Sequence, residues 1–417
     1  MKMARPSRIL MIVENLPVPF DRRVWSEATT LQDAGYSVSI ICPKARGYER
    51  STETINGICI YRHPLIEARG AAAYFVEYPM ALFWQFVLSI KVWYRHGFDV
   101  IHACNPPDLI FLIGLFYKLF GKSFVFDHHD ANPELYEAKF GRRDILWRLL
   151  RLAEKLTFKT TDISIATNES YRRIAIERGG MQPDRVFIVR SGPNLDRVKE
   201  LPPDPQWRNG RRFLVGYVGV IGGAEGLDLL LSSIEHIVRA RRRNDIQFVV
   251  VGTGSEWQAI TEMCRKMNLE NFVTFTGQID DATLFTILST TDVCVNPDRV
   301  TLMNDISTMN KIMEYMALGK PIVQFDVTEG RVSAQKASLY ANANDPQDFG
   351  EKILELIDDP PRRARLGEFG RKRVREALAW RHEQPKLLLA YDALLELRRN
   401  RLGWLRRVKD LPARVWR

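Results

Sequence analysis

The sequence predicts an α/β protein of two doubly wound domains with parallel sheets, and three observations carry that expectation. Its 417 residues are more than one hydrophobic core usually serves. Short apolar runs alternate with helical patterns along the chain, as parallel strands joined by crossover helices do. A proline-rich polar segment, Pro193–Asn209, interrupts the alternation, which then restarts.

The first half offers strands at Ile9–Val13, Val38–Cys42, Ile58–Tyr61, Val100–Ala103, Phe124–Asp127, Ile163–Ala166 and Val186–Val189, with helices such as Arg23–Ala34 and Leu109–Phe120 between them. The second half offers Leu214–Val218, Gln247–Val251, Val273–Thr276, Val293–Val295, Pro321–Phe325 and Ser338–Tyr340. This divides the chain into a domain over 1–195, a domain over 205–378, and a basic tail over 398–417, with a helix from about residue 380 returning to the first domain. Sheets of this kind bind ligands beyond the carboxyl ends of their strands. The expectation is therefore two domains facing each other across a cleft lined by those ends.

Composition excludes several classes. The five cysteines are scattered without CxxC or Cys/His ligand spacing, which predicts neither a disulfide framework nor a zinc site and fits a reducing compartment. The apolar run Ile9–Val13 is too short for a signal-peptide core, and Tyr78–Trp93 is shorter than the roughly 20 residues of a spanning helix. Residues 398–417 hold eight Lys/Arg and one acid, so +7 of the net +10 sits there beside Leu402, Trp404, Leu405 and Trp416. Together with the aromatic stretch Phe75–Trp93 and the basic stretch Asp144–Lys159, this predicts a chain lying on an anionic membrane surface at the cytoplasmic face. No nucleic-acid-binding motif is present.

Four stretches carry chemistry. Gly219, Gly222, Gly223 and Gly226 form a turn between a strand and a helix, where backbone N–H groups can approach a phosphate. Gly252-Thr253-Gly254 repeats the arrangement after the next strand, but the first strand of the chain lacks such a fingerprint, which argues against a nicotinamide dehydrogenase. In Asn304–Pro321, Asp305 or Ser307 is expected to cap a helix ending near Gly319, whose N-terminus would favour a diphosphate. Lys311 would add a full charge there, and Glu314 could accept bonds from two ribose hydroxyls; the plainer alternative is a Lys311–Glu314 pair worth a few tenths of a kcal/mol. In the first half, Asp127-His128-His129-Asp130 closes a strand and puts titratable groups at a cleft edge, with His102 a lesser candidate. No metal-ligand or serine-triad spacing appears, so no metal or other cofactor is expected.

The stretch Glu314-Tyr315-Met316-Ala317-Leu318-Gly319-Lys320-Pro321 resembles the EAMACGKP signature of glycosyltransferase family 4, retaining enzymes of GT-B fold with two facing Rossmann-like domains. Phe20-Asp21-Arg22-Arg23-Val24, His129-Asp130, Tyr217-Val218-Gly219, Gly252-Thr253-Gly254 and Phe275-Thr276-Gly277 follow in the order of that family. The resemblance covers roughly residues 8–395, and Ser307, Lys311 and Glu314 with Glu329-Gly330-Arg331 resemble its bacterial surface-polysaccharide branch, including transferases of N-acetylated sugars. It implies that Glu314 holds the ribose, that Gly277, Gln278 and Ile279 flank the base, and that Ser307, Thr308, Met309 and Asn310 meet the diphosphate and sugar. It also implies that Arg190 touches phosphate, and that His129 and Asp130 lie near the acceptor.

Three positions depart from the family. Ile306 stands where a carboxylate is usual, Val220 where an Arg is usual, and Glu225 where a Lys is usual, leaving Lys311, Arg190 or Arg331 to compensate. The resulting expectation is a retaining transfer of a hexosyl or N-acetylhexosaminyl group from a nucleoside diphosphate, with UDP foremost, to a lipid-linked or glycan hydroxyl. A sugar-nucleotide epimerase of the same fold and a catalytically weakened binding homologue are the alternatives.

Overall fold

The computed structural model describes residues 7–64 and 74–410. The chain divides into two compact units, one of Met1–Glu137, Arg142–Val189 and Gln384–Arg417, the other of Ala138–Gly141 and Arg190–Glu383.

The first unit runs β1 (Arg8–Ile12), α1 (Arg22–Asp33), β2 (Ser37–Pro43), β3 (Thr52–Ile55), β4 (Ile58–His63), α2 (Tyr74–Arg95), β5 (Val100–Cys104), α3 (Phe111–Lys118) and β6 (Ser123–His128). It continues through α4 (Asn132–Phe140), α5 (Ile145–Thr160), β7 (Ile163–Ala166), α6 (Glu169–Arg173) and β8 (Val186–Ile188). Its eight strands lie in the order β3-β4-β2-β1-β5-β6-β7-β8. All pair in parallel except β3, which runs antiparallel to β4 at the edge. That edge strand reads Thr-Glu-Thr-Ile and is partly exposed, so it carries none of the apolar character by which the other strands are recognised.

The second unit runs β9 (Phe213–Val218), α7 (Leu227–Glu235), β10 (Ile246–Val251), α8 (Trp257–Lys266), β11 (Val273–Gly277), α9 (Asp281–Thr290), β12 (Val293–Asn296), α10 (Leu302–Ile306) and α11 (Asn310–Ala317). It ends with β13 (Ile322–Phe325), α12 (Thr328–Ala334), β14 (Ser338–Ala341), α13 (Pro346–Ile357) and α14 (Pro360–Arg373). Helix α15 (Trp380–Asp410) then carries the chain into the first unit, where the Tyr391 hydroxyl lies 2.8 Å from His102 Nδ1. The basic segment expected over 398–417 continues this helix to Asp410; residues 411–417 and the side chains of 401–410 lie outside the described residues, as does the side chain of Phe75.

The six strands of the second unit are all parallel, in the order β11-β10-β9-β12-β13-β14. Period-two alternation divides the core: Phe213, Val215 and Tyr217 join one buried cluster with α7 and α13, whereas Leu214, Val249 and Val251 join another with α9 and α11. The order reverses between β9 and β12, where the chains leaving neighbouring strands turn to opposite faces and leave a crevice.

The segment 193–209, expected to be a linker, is instead packed on the second unit. Val198 is buried in its core, the Leu201 and Asp204 N–H groups donate to Ser289 Oγ and Thr290 Oγ1 at 3.0 and 2.8 Å, and Arg208 is paired with Asp292. Its prolines punctuate a strap of turns and one short 3-10 helix, Pro205–Arg208, and the Leu201 and Asp204 N–H groups find side-chain acceptors on α9.

At the carboxyl edge, the two glycine turns meet. Gly219 N–H donates to Val251 O at 3.0 Å, and Ile221 N–H to Thr253 O at 3.1 Å. Gly252 has φ +129, and a Cβ there would lie 1.9 Å from Gly219 O. Gly252→Ala should therefore lower the denaturant midpoint, by about 2 kcal/mol or more of stability, through strain and a backbone clash together; an unchanged midpoint would show that this approach is not tight.

Candidate functional site

The second unit gathers its candidates around the crevice between β9 and β12. Tyr315, inside α11, receives the Val218 N–H at 2.8 Å and so pins the helix to the end of β9. Lys311, one turn earlier, lies over the Tyr217 ring at 4.8 Å and donates to Asp298 Oδ1 at 2.8 Å. Asp298 follows β12, is 2% exposed, and went unnoticed because a lone Asp after Asn-Pro resembles any turn.

Three expectations about this region are corrected. Neither Asp305 nor Ser307 caps α11, because a separate short helix, α10, intervenes with Thr301 as its own cap. The Asp305 carboxylate instead accepts from Thr328 N–H and Oγ1 at 2.7 and 2.9 Å, and the Ser307 hydroxyl donates to Met303 O at 2.7 Å. Helix α11 thus begins after Met309 with no side-chain cap on its first turn, a ready anion site. Thirdly, Glu314 does not pair with Lys311: Arg197 Nη1, from the strap, donates to Glu314 Oε1 at 2.9 Å while holding Asp281 at 2.7 and 2.9 Å. Spacing within one helix revealed neither partner, since both come from distant segments.

The compensating cations are unequal. Arg331 is clamped to Asp326 at 2.8 Å through Nε and lies over the Tyr340 ring at 4.0 Å, so it is already neutralised. Arg190 faces Glu329 at the longer distance of 3.7 Å, and its backbone N–H donates to Glu383 at 2.9 Å. Val220 is 59% exposed and brings no charge. Glu225 folds back onto the turn: its carboxylate accepts the Gly222 N–H, and a Cβ on Gly222 would lie 2.7 Å from Glu225 Oε2. Burial pushes the Glu225 carboxyl up, opposed by Lys311. Gly223 is exposed, with open space where a Cβ would stand. Gly277, at φ +72, accepts the Gly252 N–H at 3.1 Å; Gln278 beside it is exposed, and Ile279 is half-buried against the core. Thr308 and Asn310 complete the entry to α11, with Asn310 exposed.

The first unit builds a separate constellation at the carboxyl ends of β5 and β6. Asn105 organises it. Its Oδ1 accepts the N–H groups of His129 and Asp130 at 2.6 and 3.1 Å, and its Nδ2 donates to Asp130 O and Asp108 Oδ1 at 2.7 and 2.9 Å. Arg23, from α1, clamps Asp127 through Nε and Nη2 at 3.0 and 2.7 Å. Burial drives the Asp127 carboxyl upward, but Arg23 and the His129 and His102 rings more than offset that and hold it well below the usual carboxylate range. His129 Nε2 contacts this carboxylate and also lies 2.9 Å from Arg23 Nε, so the ring is held from its Nε2 side by both groups. Burial pushes the Asp130 carboxyl up. Sequence reading singled out His129 and Asp130 but not Asn105, Arg23 or Asp127 as their supports.

Glu27, His102, Cys104 and Asp127 bring ligand-type atoms within 4.8 Å of one another in this buried core. The Arg23 guanidinium stands among them, 3.0 Å from Glu27 and 2.7 Å from Asp127, and supplies the positive charge that the carboxylates require. Burial holds the Glu27 carboxyl well above its ordinary range, against the pull of Arg23.

Comparison with known proteins gives two family matches, Glycosyltransferase Family 4 over residues 21–197 and Glycosyl transferases group 1 over residues 212–359. The chain belongs to glycosyltransferase family 4. The D-inositol 3-phosphate glycosyltransferase of Corynebacterium aurimucosum is 22% identical over 231 residues, 52% of this chain and 54% of that protein. The chain thus spans about half the length of the curated relatives it matches. Among solved structures, sucrose-phosphate synthase from Thermosynechococcus elongatus has a TM-score of 0.77 at 19% identity, covering 94% of this chain and 100% of that one. Anabaena HepE in complex with UDP-glucose has a TM-score of 0.70 at 13% identity, covering 93% and 99%. At these identities the likeness is one of fold, and the fold is the GT-B type.

His128 belongs to the core rather than the site. It sits among Phe126, Phe158 and Tyr171, and burial lowers its pKa to about 3. The folded protein therefore keeps it neutral while the unfolded chain protonates near pH 6.5, so stability falls as pH drops from 6.5 toward 3. Between pH 6.5 and 4.5, His128→Phe should reduce that fall by roughly 1–2 kcal/mol in urea titrations; an identical slope in variant and parent would remove His128 as the cause.

Proposed function

We propose that the chain is a retaining glycosyltransferase that uses a nucleoside-diphosphate sugar, with UDP as the nucleotide. One observation carries this reading: the uncapped N-terminus of α11 opens beside the interlocked glycine turns, with Lys311 and Glu314 on its first two turns. Backbone N–H groups and a helix dipole stabilise a leaving diphosphate without a metal. The UDP-glucose complex of the Anabaena structure supports UDP as the first nucleotide to try. In the proposed reaction an acceptor hydroxyl attacks the anomeric carbon on the face from which the diphosphate departs. Its proton passes to the departing phosphate oxygen, and configuration is kept. Glu314 would exchange Arg197 for two ribose hydroxyls, with Gln278 and Ile279 at the base and Ser307 to Asn310 at the diphosphate and sugar. His129 and Asp130 would serve the acceptor, a lipid-linked or glycan hydroxyl of a bacterial surface polysaccharide, at the inner membrane face.

One observation favours a second reading, a binding homologue with weakened catalysis. Glu225 puts a carboxylate on the Gly222 N–H, where a phosphate oxygen would otherwise be received. Lys311 is meanwhile shared with Asp298.

Three measurements test these readings. UDP at about 100 times its Kd should raise the thermal midpoint by the equivalent of about 2.7 kcal/mol, whereas GDP, dTDP and CMP at the same concentration should do less. Glu225→Gln should tighten UDP binding roughly tenfold in calorimetry by removing a like charge from the turn; equal affinity would show that the Glu225 charge does not guard the turn. Glu314→Ala should cut transfer by roughly 100-fold. The thermal midpoint should stay nearly unchanged, because Arg197 keeps both bonds to Asp281. Full turnover in that variant would refute the ribose role.

A further inference from the structure

We infer that α2, α3 and α5 of the first unit form a facet that docks on an anionic lipid bilayer. The three helices are neighbours. Phe86 meets Phe116 at 5.1 Å and Trp93 meets Phe120 at 4.9 Å, joining α2 to α3, and α3 packs in turn on α5.

Each helix turns an apolar stripe outward. On α2 the exposed residues are Met80, Phe83, Val87, Ile90 and Tyr94, alternately three and four apart, with Tyr94 94% exposed. On α3 and its C-terminal end they are Leu112, Leu115 and Leu119, and on α5 Ile145, Leu149, Leu152 and Leu156. This is the spacing of a helix face made for burial, yet it points away from the core. In α2 the polarity is inverted outright: Gln85 and Ser89 are 0% exposed while the stripe is not. Among the described residues, most exposed large hydrophobics of the chain lie on these helices and their ends. Concentration of that kind marks a binding surface rather than scattered exposure.

Charge selects the occupant. The described side chains of the three helices include Lys91, Arg95, Lys118, Arg148, Arg151, Lys155 and Lys159. They include one acid, Glu154, which is buried and paired with Arg178. A second copy of the chain on this face would set cations against cations. An anionic bilayer receives the apolar stripes in its interface and the cations at its headgroups. No helix among the described residues is long and apolar enough to cross a membrane, so the contact is interfacial. This inference rests on the surface of the first unit and stands apart from the chemistry proposed for the second.

The test is co-sedimentation of the full-length chain with vesicles of phosphatidylcholine alone or mixed with phosphatidylglycerol in equal parts. Binding should be confined to the phosphatidylglycerol vesicles and should weaken as salt rises. Phe83→Glu/Leu149→Glu and, independently, Lys155→Glu/Lys159→Glu should each weaken it roughly tenfold or more. Nucleotide-induced thermal shifts should stay as in the parent in both variants, which separates loss of docking from loss of fold or of donor binding. If the apolar variant does not fold, the charge variant decides alone. Parental binding in both variants would assign the membrane contact elsewhere, for example to the basic C-terminal segment. A concentration-dependent dimer abolished by the same substitutions, without vesicle binding in the parent, would make the facet a self-association surface. Either result, or absence of binding to phosphatidylglycerol vesicles, overturns the inference.

Discussion

The second unit depends on how closely two backbone turns approach each other. Gly219 and Gly252 end adjacent parallel strands, and Gly252 has no room for even one carbon beyond its backbone. The rungs Gly219–Val251 and Ile221–Thr253 extend the sheet's pairing past its last regular residues. That extension holds the loop at 219–226 against the loop at 252–256, and the entry of α11 is tied to the same edge through Tyr315 and Val218. Without it the turns would be ordinary flexible connections, and a ligand proposed to bind at this edge would have to order them on every binding event.

Around that edge the protein satisfies its own charges. Lys311 is held by Asp298, Glu314 by Arg197, Arg331 by Asp326 and the Gly222 N–H by Glu225. The first unit follows the same rule, with Arg23 between Asp127 and Glu27. Apart from the half-exposed Arg331–Asp326 pair, each pairing avoids leaving an isolated charge or donor in a partly dry place, where it would cost several kcal/mol. On the proposed reading, a ligand would enter by exchanging partners.

The regular scaffold was legible because burial imposes periodicity. Apolar runs marked every strand but β3, whose polar Thr-Glu-Thr sits at an edge where no alternation is enforced. The Asn310–Ala317 helix was visible, but its start was not: a Thr301-capped helix fits inside the same polar stretch, and local spacing cannot tell one helix from two. Site residues were legible where a run of unusual side chains closed a strand, as at His129-Asp130. They were illegible where the meaning lies in a long-range partner. Arg197 sat in a proline-rich strap, Asn105 was a single polar residue ahead of two prolines, and Asp298 was one acid in a loop. Two histidines side by side looked equivalent, yet strand alternation sends His128 among aromatic rings and His129 to the polar end.

The position of Glu225 has a further consequence. A carboxylate tethered to the turn it occupies is a competitor that dilution cannot remove, with an effective concentration fixed by the short loop. It taxes every incoming anion by the same factor, whatever the anion's size. A small ion that offers only its charge gains little by displacing it. A larger molecule that also engages the neighbouring groups recovers the loss through those extra contacts. If the turn receives a diphosphate, as proposed, it thereby becomes a threshold that free phosphate and stray anions fail to cross, and the glutamate sets how much of a ligand must be present before the site opens.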